Sequence, residues 1–94
     1  MNRADARARL QELLDDYRRE SYRELQRLMD VPDTRVVRGA SGAEYQVEVE
    51  AMWDDKPNGD LRVMGTIDDS ALWSSILPLT HGFIITSDGR FVGE

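Results

Sequence analysis

Between Ala6 and Leu28, apolar residues recur at steps of three and four: Ala6, Leu10, Leu13, Leu14, Tyr17, Leu25 and Leu28, with Ser21 filling the same stripe. That is the period of a helix with one buried face. Arg9, Glu12, Asp16, Arg19, Arg23, Gln26 and Arg27 fall on the opposite face, where acids N-terminal to bases, such as Asp5 with Arg9 or Asp15 with Arg19, add modest support. The spacing predicts one amphipathic helix over residues 3 to 29, with Asn2 as its cap and Asp5 near the positive end of its dipole. Pro32 ends it by disfavouring helical geometry at Val31. Such a helix is roughly 40 Å long, about twice a strand of usual length. Either it breaks or frays near its Ala/Arg-rich start, or its stripe continues onto a second copy. The second reading makes Leu10, Leu14, Tyr17 and Leu28, at heptad-compatible spacing, the contacts of a homodimer.

After Pro32 the period changes from helix to strand. Arg35 to Arg38 reads as a short strand and Gly39 to Gly42 as a turn. From Glu44 to Trp53 the alternation is strict, with Tyr45, Val47, Val49, Ala51 and Trp53 on one face and Glu44, Gln46, Glu48, Glu50 and Met52 on the other. Asp54 to Asp60 is dense in turn-forming residues. Leu61, Val63 and Ile67 then alternate with Arg62, Met64 and Thr66. Pairing Trp53 with Leu61 sets apolar residues against apolar ones along the whole hairpin and puts Glu48 and Glu50 on the same outer face as Arg62.

Ser70 to Thr80 fits either a short helix or a strand, and strand is the preferred reading; His81 and Gly82 read as a loop. Phe83 to Thr86 and Arg90 to Val92 flank Ser87-Asp88-Gly89, a hairpin turn signal. The fold class that follows is α+β: a long N-terminal amphipathic helix on one face of a four- or five-stranded antiparallel sheet. It forms one domain over residues 1–94, helix in 1–31 and sheet in 32–94.

Composition changes the picture in three places. The 94 residues include 40% hydrophobic and 32% charged side chains, which is a globular rather than a disordered balance. No cysteine is present, so disulfides and thiolate metal sites are excluded and a reducing, cytoplasmic setting is expected. The net charge of −6 is lopsided: residues 1 to 30 carry seven Arg and seven acids, whereas residues 31 to 94 carry five basic and eleven acidic residues. An acidic sheet repels phosphates and lipid headgroups and attracts basic partners, so neither direct nucleic-acid binding nor membrane association is expected. The first residues lead into Glu12, Asp15 and Asp16 rather than an apolar run, unlike a secretory signal.

Candidate chemistry is sparse. His81 is the sole histidine and Gly39-Ala40-Ser41-Gly42-Ala43 lacks nucleophile-elbow spacing. One histidine without cysteine cannot build a zinc centre. Asp54 to Asp60 departs from a calcium loop at Lys56 and at Gly65, where a bidentate Glu is needed. No metal or other cofactor is expected. Two classes of surface remain. Glu44, Glu48 and Glu50 in a row, Asp54, Asp55 and Asp60 at one end, and Met52, Arg62 and Met64 beside them have the composition of a protein interface, with mimicry of a phosphate track as its sharpest form. The leading expectation is a non-enzymatic protein-binding module, a regulator or inhibitor that binds a basic protein through this acidic sheet, dimerises through the helix, or both. Two alternatives stay open: hydrolysis or ligand binding by carboxylates of Asp54, Asp55, Asp68, Asp69 and Asp88, and a purely structural oligomerisation unit.

Overall fold

Asn2 caps the first helix by accepting the Asp5 N–H at 3.1 Å, and from there the chain runs α1 (Arg3–Tyr17), α2 (Tyr22–Leu25), α3 (Arg27–Asp30), β1 (Asp33–Arg38), β2 (Glu44–Trp53), β3 (Leu61–Asp69) and β4 (Leu79–Ile85). This computed structural model describes residues 2–69 and 78–93. The expected single helix over residues 3 to 29 is broken into three. The break has a local cause: Ser21 accepts the Glu24 N–H while the Glu24 carboxylate accepts the Ser21 N–H, a reciprocal capping box that starts a new helix. α1, at 15 residues, is therefore only about 22 Å long. β2, at 10 residues, extends about 33 Å, so the sheet outreaches the helix and no apolar stripe overhangs it.

The four strands form one antiparallel sheet in the order β1-β2-β3-β4, as the α+β reading requires. The β2–β3 register pairs Trp53 with Leu61 and Ala51 with Val63, the expected hairpin. α1 packs over β3 and β4, and α3 over β2. Leu10 and Leu14 reach the sheet at Gly65, where a Cβ would lie 2.9 Å from Leu10 Cδ1 and 3.1 Å from Leu14 Cδ2; only glycine admits this approach. Leu10, Leu14, Tyr17 and Leu28 are all buried in the chain's own core. The stripe assigned to a helix-mediated homodimer is thus covered by this chain's sheet and offers no surface to a second copy.

Two polar ties fix the layers. The Asp5 carboxylate accepts hydrogen bonds from Ser41 Oγ at 2.5 Å and Tyr45 Oη at 2.7 Å, joining the first turn of α1 to the β1–β2 turn. At the other end of α1, Tyr17 Oη donates to Asp33 Oδ2 at 2.7 Å and accepts from Arg35 at 3.1 Å. Beyond β4, the expected hairpin reduces to a single bridge between Ile85 and Phe91, with Gly89 in the turn at φ 88°. The Arg18 guanidinium lies 5.0 Å from the Phe83 ring centre and 5.6 Å from that of Phe91. His81 belongs to β4 opposite Gly65 rather than to a loop. The strand expected over 70–80 falls largely outside the described residues, as does Trp73; Leu79 and Thr80 open β4.

Candidate protein-binding face

Alternation sends half of each strand's side chains to the helices and the other half outward. The registers arrange the outward residues in rows: Met52, Arg62 and Ile84; Glu50, Met64 and Gly82; Thr34, Glu48, Thr66 and Thr80; Val36, Gln46 and Asp68; Arg38 and Glu44. No described helix covers this face. Val36 and Met52 remain exposed on it, at 61% and 42%. A shallow depression of about 620 Å³ crosses its centre, bordered by Thr34, Val36, Gln46, Glu48, Thr66 and Asp68.

The sequence-derived partner-binding residues divide into two groups. Glu44, Glu48, Glu50, Met52, Arg62 and Met64 share the outward face, and Met64 lies across Gly82, where a Cβ would meet its Sδ at 2.8 Å. Asp54, Asp55 and Asp60 sit in the adjoining β2–β3 turn, closed by the Asp54 N–H donating to the Asp60 carbonyl at 2.9 Å. Asp54 accepts from Arg62 Nε and a terminal guanidinium nitrogen at 2.9 and 2.5 Å. Glu44 pairs with Arg38 at 3.1 Å. One acid at each end, Glu44 and Asp54, is therefore neutralised, while Glu48 and Glu50 in the middle of the row, like Asp55 and Asp60 in the turn, make no ion pair among the described residues. Asp68 is in the neighbouring row, its Oδ1 accepting the Asp69 N–H at 2.8 Å.

The two arginine pairings were within reach of the sequence. Arg38 and Glu44 flank a tight turn at equal distances, and Arg62 follows Asp54 across a hairpin. A continuous phosphate-like track needs these acids uncompensated, which they are not.

The carboxylates of the hydrolytic alternative do not converge. Asp54 and Asp55 follow β2 at the end where Trp53 meets Leu61, whereas Asp68 and Asp69 meet Gln46 and Tyr45 at the other end of the hairpin, roughly 25 Å away along a strand. Asp88 is held in the last turn by Thr86 and Arg90, and its carboxyl is shifted below the usual range chiefly by the Thr86 hydroxyl. The remaining shifted carboxyls move down as well: Asp5 through the Ser41 and Tyr45 hydroxyls, and Glu24 through the backbone of Ser21. A downward shift favours the ionised form and suits a structural acceptor, the opposite of a general acid held protonated at neutral pH. His81 borders a small recess with Gln11, Asp15 and Arg18 on the helix side of the sheet. Among the described residues no group of three or more His, Cys, Asp or Glu side chains is placed to hold a metal ion, and no helix is long and apolar enough to cross a membrane.

No family model, curated protein or solved structure matches the chain.

Proposed function

We propose that this chain is a non-enzymatic protein-binding module that receives a basic protein segment on the outward face of its sheet and acts by occupancy, as a regulator or inhibitor. The observation that carries this reading is the pair Glu48 and Glu50. Both lie on the central strand β2, on a face that no described helix covers, and neither has an ion-pair partner among the described residues. A partner's Lys or Arg docking there gains an uncompensated charge, while Met52, Met64, Ile84 and Val36 supply apolar contact around it. Because Arg38 and Arg62 neutralise Glu44 and Asp54 and so interrupt the acidic row, the reading favours a short basic segment over mimicry of an extended nucleic-acid backbone.

The test is an affinity pull-down from the native host lysate, nuclease-treated and run at low and high salt, with mass spectrometry of retained proteins. The expected result is a stoichiometric basic protein retained at low salt and released at high salt, since exposed charge pairs are screened within about 10 Å at 0.1 M salt. Retention of nothing but the bait, or of a partner indifferent to salt, contradicts the reading.

A further inference from the structure

The two edges of the sheet are not alike. At β4 the C-terminal segment folds back: the Val92 N–H donates to the Ile84 carbonyl at 2.9 Å and the Thr86 N–H to the Arg90 carbonyl at 2.7 Å. At β1 no described strand lies alongside, and the helices pack principally over β2, β3 and β4. One of the most exposed large apolar residues belongs to this strand, Val36 at 61%.

The direction of the free backbone groups follows from one hydrogen bond. The Gly39 N–H donates to the Ala43 carbonyl across the β1–β2 turn. In an antiparallel strand the N–H and C=O of one residue point to the same side and alternate along the chain. Asp33, Arg35 and Val37 therefore bond to β2, while Thr34, Val36 and Arg38 direct their N–H and C=O groups outward from the sheet.

We propose that this edge joins a second copy of the chain, β1 pairing antiparallel with β1 about a twofold axis at Val36, so that the two sheets become one. The occupant is argued from self-complementarity. In this register Val36 faces the Val36 of the other copy and Thr34 faces its Arg38, and every outward backbone group of these residues finds a partner. The two copies of Val36 meet on the outer face, and Arg35 falls opposite Val37. A twofold centred on Arg35 sets Arg38 opposite Pro32, which has no N–H to give, and Arg35 against its own copy, a like-charge pair that destabilises a sheet. One centred on Val37 carries Thr34 past the end of the other strand. A one-residue slip to pair unlike faces is excluded by the buried inner face. This inference uses the backbone edge of β1 and not Glu48 or Glu50, and it shares only Val36 with the contacts proposed on the acidic face.

The chain has no cysteine, which makes single-cysteine variants informative. Directly opposed residues in a hydrogen-bonded pair have Cα atoms about 5.5 Å apart, within disulfide reach. Under mild oxidation Val36→Cys is expected to cross-link to a covalent dimer, and Thr80→Cys, on the opposite edge strand, to remain monomeric. In sedimentation equilibrium the wild-type chain is expected to dimerise with concentration, Val36→Ile to do the same, and Val36→Lys to dimerise at least tenfold more weakly with an unchanged circular dichroism spectrum. A wild-type chain that stays monomeric up to about 1 mM, equal cross-linking of the two cysteine variants, or a dimer indifferent to Val36→Lys overturns the proposal.

Discussion

Gly65 is the point at which the helical layer comes closest to the sheet, and substituting it measures that contact directly. A Cβ there would sit 2.9 Å from Leu10 Cδ1 and 3.1 Å from Leu14 Cδ2, where carbon pairs rest at about 3.5–4.0 Å. Both leucines must retreat by roughly 0.5–1 Å inside a core in which Leu10 is 0% and Leu14 4% exposed. Overpacking of this kind costs about 1–3 kcal/mol, and removing glycine's excess freedom in the unfolded chain returns about 0.5–1 kcal/mol. Gly65→Ala is therefore expected to lose about 1 kcal/mol and Gly65→Val about 3 kcal/mol, read from urea unfolding with the slope held in common. The two leucines also predict a coupling. Leu14→Ala alone should cost about 2–5 kcal/mol, but in the Gly65→Val background it vacates the space the valine needs. The double variant should then be more stable than the sum of the single effects by about 1 kcal/mol or more. A Gly65→Val protein as stable as wild type, or strict additivity with Leu14→Ala, refutes the packing of α1 against Gly65.

Two further outcomes follow from single side chains. Ser21→Ala removes the hydroxyl that caps α2 and should cost about 1 kcal/mol in urea unfolding, with Glu24→Ala adding less in the double variant than alone because the two act as one capping box. Tyr17, whose phenol is pushed up to about 12 by burial and by its hydrogen bond to Asp33, holds its proton more tightly folded than unfolded. Its contribution to stability is thus full below pH 10, the ordinary phenol value, and is lost as pH rises from 10 towards about 12. Tyr17→Phe should be about 1–2 kcal/mol less stable at neutral pH and decline less steeply in that alkaline window; the remaining decline comes from Tyr45, whose phenol is also raised, first by its bond to Asp5.

The β2–β3 hairpin was the most legible part of the chain, because strict alternation on both strands allowed one register that buried both apolar sets, and Trp53 does pair with Leu61. The helical half was legible in burial but not in connectivity. Every residue of the stripe from Ala6 to Leu28 except Ser21 is buried, yet the periodicity masked the Ser-Tyr-Arg-Glu capping signature lying within it. That signature was the available clue to the break after Tyr17, and with the break the argument from an overhanging helix disappears. The tie from Asp5 to Ser41 and Tyr45 spans 36 and 40 positions, and nothing local in the sequence marks it. His81 was misplaced because Gly82 beside it reads as a loop signal; in the sheet, that glycine instead accommodates Met64 on the outward face. Of the acidic face, the positions of Glu48 and Glu50 followed from alternation alone, whereas the neutralisation of Glu44 and Asp54 rests on their pairings with Arg38 and Arg62.

The central claim is that the outward sheet face, and not the helical layer, receives the partner. The measurement that addresses it most directly compares two charge reversals of equal size in the same pull-down: Glu48→Lys with Glu50→Lys on the outward face, and Glu12→Lys with Asp16→Lys on the exposed side of α1, where the native side chains are 72% and 68% exposed. Circular dichroism should be unchanged in both. The account predicts that the sheet-face pair abolishes retention of the basic partner while the helix pair retains it. Retention by the sheet-face pair, or equal loss from both, would contradict it.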